Sequence, residues 1–254
     1  MAVISFAASY DRFRPRPPEA LLDLLVRLAG GGRPGLVVDL GSGTGLSARA
    51  WAGRAERVVG VEPDDAMRAV AEEQGGAEFV AASSSATGLP DACADLVTCS
   101  QSLHWMEPEP TFTEVGRILR PGGVFAAYDY DMAPVVDLEL DEAVETLAGR
   151  AVAMRQETGR ISPWTRRHAS MKDEHVSAMQ ASGQFRYVRE IVAHSVDPGD
   201  ADRLMGYVRS LGAVEVHRDR LPLDELEATA RRILGDRTVP FWFGYRVRIG
   251  VRDT

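Results

Sequence analysis

"VVDLGSGTG", Val37 to Gly45, packs a short apolar run, one acidic residue and three glycines into nine positions. The run Leu36 to Leu40 is too short and too apolar for a half-exposed helix, and glycines bound it, so it reads as a buried strand. Leu46 to Gly53 then takes up a helical pattern. A strand that gives way to a helix through glycines is the place where open α/β sheets bind ligands. The question is whether the flanking sequence builds such a sheet.

It does so by repetition. Before the loop, Pro18 to Ala29 places Leu21, Leu22, Leu25, Val26 and Leu28 on roughly one helical face, with Pro17 and Pro18 ahead of it and Gly30 to Gly32 behind. After the loop come a strand over Arg57 to Val61, a helix over Asp65 to Gln74, and strands over Glu78 to Val80 and Asp95 to Cys99. A helix over Thr111 to Leu119, the turn Arg120-Pro121-Gly122-Gly123 and a strand over Val124 to Tyr128 complete the series. Alternating strands and helices imply parallel strands with helices on both faces. The rhythm then changes to helices over Leu138 to Thr158 and Arg166 to Ser182, followed by a strand over Phe185 to Val196, a helix over Leu223 to Leu234 and a strand over Val239 to Ile249. The expectation is a doubly wound, mostly parallel seven-stranded α/β sheet with an antiparallel C-terminal edge pair and a helical insertion. Residues 1–130 form the core with an N-terminal lid, 131–184 a helical cap, and 185–254 the completion of the sheet.

Composition limits what this sheet serves. The 254 residues are 45% hydrophobic and 26% charged, the balance of a folded domain able to bury a sizeable core. The net charge of −8 repels phosphate backbones and anionic membrane surfaces, which argues against nucleic acid and membrane partners. Cys93 and Cys99 match no metal-ligand spacing and make no disulfide framework, so no metal is expected and a reducing cytoplasm fits. The first residues show no cationic leader with a long apolar run, and no stretch approaches membrane-spanning length.

The loop itself has rival readings. A phosphate-binding loop requires Lys-Ser or Lys-Thr at its end, which is absent. A nicotinamide site requires G-x-G-x-x-G, and here the sixth position is Leu46. Glycines bring backbone close to a ligand, and N–H groups at the start of the next helix attract anions by roughly 0.3–1 kcal/mol. Asp39 places a carboxylate at the end of the first strand, suited to a cationic amine and repellent to a pyrophosphate. Glu62, ending the second strand, has two oxygens that can accept from both hydroxyls of a ribose. A ligand with an amine, a carboxylate and a ribose satisfies all three features, as S-adenosylmethionine does.

VVDLGSGTG, VVGVEPDDAM, DLVTCSQSLHW and EVGRILRPGG, in this order and spacing over about residues 10 to 130, resemble class I S-adenosylmethionine-dependent methyltransferases. YDRFRPRPP, the His-Trp pair after the fourth strand and the RILRPGG turn are most similar to the small-molecule branch that contains trans-aconitate methyltransferase. The resemblance implies that Asp39, Gly41, Ser42 and Gly43 surround the methionine part of the cofactor, that Glu62 accepts from the ribose, and that Pro63 and Met67 flank the adenine. Tyr10 and Arg14 match a segment that folds over the cofactor. Relatives commonly carry an acidic residue after the third strand to accept from the adenine amino group. This chain has Ala82-Ser83-Ser84-Ser85-Ala86 there, and Ser84 or Ser85 is the expected substitute.

The stretch after the fourth strand borders two sites. Ser100 and Gln101 are expected to face the methionine part, and His104 and Trp105 the acceptor, with Tyr128 and Trp164 as further acceptor contacts. His104 is the candidate catalytic group, either as a general base or as a donor that orients an acceptor oxygen. The expected reaction is methyl transfer to a small molecule, with O-methylation of a hydroxyl or carboxylate as the leading case. A nicotinamide-dependent reductase and a cofactor-binding protein without transfer activity are the alternatives. Arg150, Arg155, Arg160, Arg166 and Arg167 read as a solvated face balanced by the acidic run before them, with a carboxylate clamp as the alternative.

Overall fold

The computed structural model describes residues 6–157 and 174–253. The helices are α1 (Phe6–Phe13), α2 (Glu19–Leu28), α3 (Leu46–Arg49), α4 (Asp65–Gln74), α5 (Pro108–Ile118), α6 (Leu138–Glu157), α7 (His175–Ala181), α8 (Ala201–Arg209), α9 (Gly212–His217) and α10 (Leu223–Leu234). The strands are β1 (Leu36–Leu40), β2 (Arg57–Val61), β3 (Glu78–Val80), β4 (Ala94–Ser100), β5 (Leu119–Tyr130), β6 (Phe185–Gly199) and β7 (Val239–Arg252). They form one seven-stranded sheet in the order β3-β2-β1-β4-β5-β7-β6. The pairs β1–β2, β1–β4, β2–β3 and β4–β5 are parallel, and the C-terminal strands are antiparallel. The chain leaves β1 toward β2 on one side and returns to β4 on the other. The strand order therefore reverses between β1 and β4, and their carboxyl ends open the crevice where such sheets bind ligands.

Two compact units divide the chain. The first comprises Arg16–Asp129, Arg167–Ala193 and Tyr245–Thr254. Its core follows the pleat: Val38 and Leu40, Val97 and Cys99, Phe125 and Ala127 point to one face of the sheet and pack with Phe112, Val115 and Ile118 of α5. Phe125 stacks on Phe185 at 5.7 Å between centroids, and Phe112 meets both rings edge-on. α2 buries Leu21, Leu22 and Leu25, whereas Leu28 lies outside the stripe and is exposed. The second unit comprises Met1–Pro15, Tyr130–Arg166 and His194–Gly244. In it α6 buries Leu140, Val144, Leu147, Ala148 and Ala151, one face at helical spacing, and α8 and α10 contribute Leu204, Val208, Leu226, Ala230 and Leu234.

Three expectations need correction. The helix expected over Leu46 to Gly53 is a single turn, because the chain folds into successive turns from Ala50, burying Trp51 and reaching Gly53 at φ 78°. A one-turn helix has a small dipole, so the anion-binding role assigned to its start loses its basis. The turn Arg120 to Gly123 is a bulge within β5: Leu119 pairs with Ala94, yet Val124 pairs with Leu96. Finally, α8 and α9 occupy a stretch between Val196 and Leu223 to which the sequence pattern assigns no element. The helix expected over Arg166 to Ser182 is described only as α7; its earlier residues, with Arg160, Trp164, Arg166 and Arg167, lie outside the described residues.

One glycine in β2 has a steric reason. A Cβ on Gly60 would lie 2.5 Å from the ring of Phe79, its neighbour on β3, and 2.7 Å from Ser42 Oγ. Gly60→Ala is expected to destabilise the protein by about 1–3 kcal/mol, read as a lower midpoint of urea unfolding. An unchanged midpoint would contradict this packing.

Candidate functional site

The loop after β1 is held by the end of β2. Gly41 and Ser42 both donate their N–H to Val61 O, at 2.8 and 3.1 Å, and Gly41, Gly43 and Gly45 all take positive φ. Gly41 must be glycine for a second reason: a Cβ there would lie 2.7 Å from Ser102 Cβ. Ser102 in turn donates to Leu40 O at 2.7 Å, so the turn after β4 is drawn against the end of β1. A Cβ on Gly43, by contrast, would meet no atom within 4 Å, so this part of the loop borders open space.

Glu62 ties this opening together. It is buried, and its Oε2 accepts from Gly43 N at 2.8 Å while Oε1 accepts from Asp64 N at 2.9 Å. Each carboxylate oxygen offers about two acceptor positions, so the pair can still take two hydroxyls. Pro63 is exposed beyond it, and Met67 is half-buried on the first turn of α4, with its N–H capped by Asp64. Ser42 Oγ is buried without a hydrogen-bond partner among the described residues. An orphaned hydroxyl, an open glycine and a carboxylate with spare acceptor capacity fit a ligand rich in hydroxyls and polar groups.

Asp39 lies beneath the loop, fully buried, with Oδ2 accepting from Ser47 Oγ at 2.5 Å and Oδ1 from Thr98 Oγ1 at 2.8 Å. Burial pushes its carboxyl up from 3.8 to about 6; the Ser47 and Thr98 hydroxyls oppose this and the charge of Glu62 adds to it. The folded state therefore binds the proton more tightly than the unfolded chain. The stabilisation is complete below about pH 4 and is lost as pH rises through 6, about 3 kcal/mol in all. Asp39→Asn has no such dependence. Its stability relative to the unsubstituted protein is expected to improve by about that amount between pH 4 and 7 in urea unfolding, and a constant difference would refute the shift.

Ser84 Oγ is paired with Thr111 Oγ1 at 2.9 Å, and Ser83 Oγ with Ser85 Oγ at 3.1 Å, Ser85 being exposed. Their loop is fixed from behind by Glu114, which accepts from both N and Oγ1 of Thr87 and is held at about 2 by Arg117 despite its burial. Gln101 follows β4 at φ 55°, an uncommon conformation for a residue with a Cβ, and its N–H donates to Tyr128 O at 3.0 Å. Ser100 pairs with Tyr128 across β4 and β5. Tyr128 is buried on the sheet face of Asp39 and Thr98, opposite the face of its neighbour Asp129.

His104 sits in the 3₁₀ turn Leu103–Trp105, its ring 5.2 Å from that of Trp105, which is half-exposed. Its Nδ1 is 3.6 Å from Asp129 Oδ1. Asp129 Oδ2 accepts from Arg248 Nη1 at 2.6 Å, and Arg248 Nε donates to Glu190 Oε2 at 2.9 Å. Sequence reasoning missed Asp129, Arg248 and Glu190. The first was legible as an acid in the apolar run Ala126-Ala127-Tyr128-Asp129-Tyr130; the other two resembled the solvent side of alternating strands.

Tyr10 and Arg14 belong to the second unit. Arg14 lies over the rings of Tyr10, Tyr130 and Tyr207, at 4.6, 5.8 and 5.4 Å, and donates to Tyr130 Oη and Ser210 O. Arg150 is exposed on α6 and Arg155 half-buried.

Residues 38–127 match the family model described as "Methyltransferase domain". This chain carries a class I S-adenosylmethionine-dependent methyltransferase domain. The glycine loop, Glu62 and the turn after β4 all lie within the matched domain. Among curated proteins, the domain is similar to "Probable S-adenosylmethionine-dependent methyltransferase CRG1" of Saccharomyces cerevisiae, at 29% identity over 52% of this chain and 47% of that protein. It is also similar to "Uncharacterized methyltransferase Mb3374" of Mycobacterium bovis, at 34% identity over 47% of this chain and 48% of that one. The chain thus spans about half the length of the curated relatives it matches. A solved structure described as a "Putative Type II Methyltransferase" from Anaeromyxobacter dehalogenans aligns over 95% of this chain and 98% of its own, with a TM-score of 0.67 and 28% identity. Among the described residues no helix is long and apolar enough to cross a membrane.

Proposed function

We propose that the protein transfers a methyl group from S-adenosylmethionine to a small-molecule acceptor in the cytoplasm, with O-methylation of a hydroxyl or carboxylate as the leading case. The observation that carries the reading is the buried Glu62 carboxylate bound to the open Gly43 loop at the point where strand order reverses. In it Glu62 holds the ribose hydroxyls, Gly41, Ser42 and Gly43 border the methionine part with Ser100 and Gln101, and Asp39 lies beneath as the anionic partner of the amine. Pro63, Met67 and Ser84 or Ser85 flank the adenine, and Tyr10 with Arg14 forms the lid. When bound, the cofactor supplies an electrophilic methyl group on a sulfonium. The protein's part is to hold an acceptor atom in line, which can supply about 7–11 kcal/mol of the barrier. His104 accepts a proton from the acceptor or orients its oxygen, with Trp105, Tyr128 and Trp164 kept as proposed acceptor contacts. Residues 131–184 are the helical substrate cap in this reading, and the proton-accepting role of His104 applies to a hydroxyl acceptor, since a carboxylate is already ionised at neutral pH.

A cationic amine favours ionised Asp39. S-Adenosylhomocysteine, which keeps that amine, is therefore expected to bind about fourfold more tightly at pH 7 than at pH 5.5, a gain absent from Asp39→Asn. Equal pH dependence in both proteins would remove Asp39 from the amine. Transfer itself is tested with a radiolabelled methyl donor and a panel of small hydroxy and carboxylic acids. Labelled product supports the reading; cofactor binding with no product from any acceptor class points to a binding protein without transfer activity.

A further inference from the structure

We propose that Asp129 is a positioning residue that sets the tautomer of His104, leaving Nε2 as an acceptor facing the substrate. The proposal rests on the methyltransferase reading only for what the histidine is used for; its geometry is independent of that reading. Asp129 is buried on β5 with Oδ1 3.6 Å from His104 Nδ1, which is itself buried and has no hydrogen-bond partner among the described residues. That separation is slightly beyond a hydrogen bond, and catalytic contacts of this kind commonly tighten when the site is filled.

What fixes Asp129 is the buried Arg248. Its guanidinium bridges Asp129 Oδ2 and Glu190 Oε2, and Arg246 reaches the other oxygen of Glu190 at 3.2 Å. The fully buried guanidinium is matched in a low-dielectric interior by the Asp129 carboxylate in its charged form. An ionised carboxylate only accepts hydrogen bonds. The nitrogen that faces it must therefore carry the proton, and in a neutral imidazole the other nitrogen then holds a lone pair. The groups disposed around His104 are Asp129 from β5, with Arg248 of β7 and Glu190 of β6 behind it, the Cys99 thiol of β4, within range of Asp129, and the Trp105 ring on its own turn. This arrangement selects proton acceptance over donation for His104, a choice the sequence left open.

Asparagine at position 129 reverses the arrangement for a definite reason. Arg248 demands an acceptor, so the amide oxygen turns to it and the NH₂ faces Nδ1, forcing the proton onto Nε2. The test uses the full chain with ¹⁵N-labelled histidine, with and without S-adenosylhomocysteine, at about pH 8.5, above the ordinary histidine range. The His104 signals are assigned by their loss in His104→Gln. The expected result is the Nδ1–H form in the unsubstituted protein and the Nε2–H form in Asp129→Asn, with turnover lowered about 10²–10⁴-fold, KM within about threefold and S-adenosylhomocysteine affinity unchanged. The Nε2–H form in the unsubstituted protein, or the Nδ1–H form surviving in Asp129→Asn, overturns the proposal. Should Asp129→Asn fail to fold, the unsubstituted spectrum decides alone. Failure of S-adenosylhomocysteine to bind the unsubstituted protein would defeat the methyltransferase reading and leave the tautomer result intact.

Discussion

Glu62→Gln is expected to weaken S-adenosylhomocysteine binding about 100-fold in calorimetry, with a stability loss of about 1–3 kcal/mol for the displaced backbone donor. The carboxylate accepts from two backbone donors, Gly43 N and Asp64 N. Glutamine offers one oxygen and one NH₂, so one of these donors would meet another donor. If Gly43 is the one released, the loop loses the contact that holds its open side toward Glu62. Hydrogen bonds to a charged acceptor contribute about 1.5–3 kcal/mol each, and the ligand loses one such contact on top of the distorted loop. About 3 kcal/mol corresponds to the stated hundredfold. A loss below about threefold would show that Glu62 shapes the loop without touching the ligand, and the ribose reading would fall.

His104→Gln carries the second large effect. Glutamine keeps polar reach but cannot take a proton, so turnover is expected to fall about 10²–10⁴-fold with an unchanged affinity for S-adenosylhomocysteine. If His104 accepts the proton, the variant's rate climbs with pH as the acceptor ionises by itself, narrowing the gap. A uniformly lower rate with the same pH profile would identify a donor that orients the acceptor. Because Asp129 faces Nδ1, the first outcome is the expected one.

The part of the fold that holds the site was legible because its signals are local. The runs at Leu36 to Leu40 and Arg57 to Val61 read as strands because each is too short and too densely apolar for a half-wet helix, and the glycines between them have no side chain to obstruct the turn. α4 runs over Asp65–Gln74 as read, since Asp64 caps it and Gly75 ends it. What failed was set by distant contacts. Nothing local stops the helix after Arg49; the burial of Trp51 does. The turn at Arg120 to Gly123 reads as a loop until Ala94 and Leu96 supply the partners that make it a bulge. Asp129, Arg248 and Glu190 were invisible as a group because they lie on three strands more than 50 residues apart in sequence, joined only where β5, β7 and β6 are neighbours in the sheet. Glu62 was found because its role follows from its place at the end of a strand. Asp129 needed the sheet order.

The central claim, that the crevice between β1 and β4 is built for S-adenosylmethionine, is met most directly by one calorimetric comparison. S-Adenosylhomocysteine, NAD and NADP are titrated in turn into the unsubstituted protein at pH 7. One equivalent of S-adenosylhomocysteine bound, with no heat from either dinucleotide, is the predicted result. Binding of a dinucleotide with none of S-adenosylhomocysteine would contradict it.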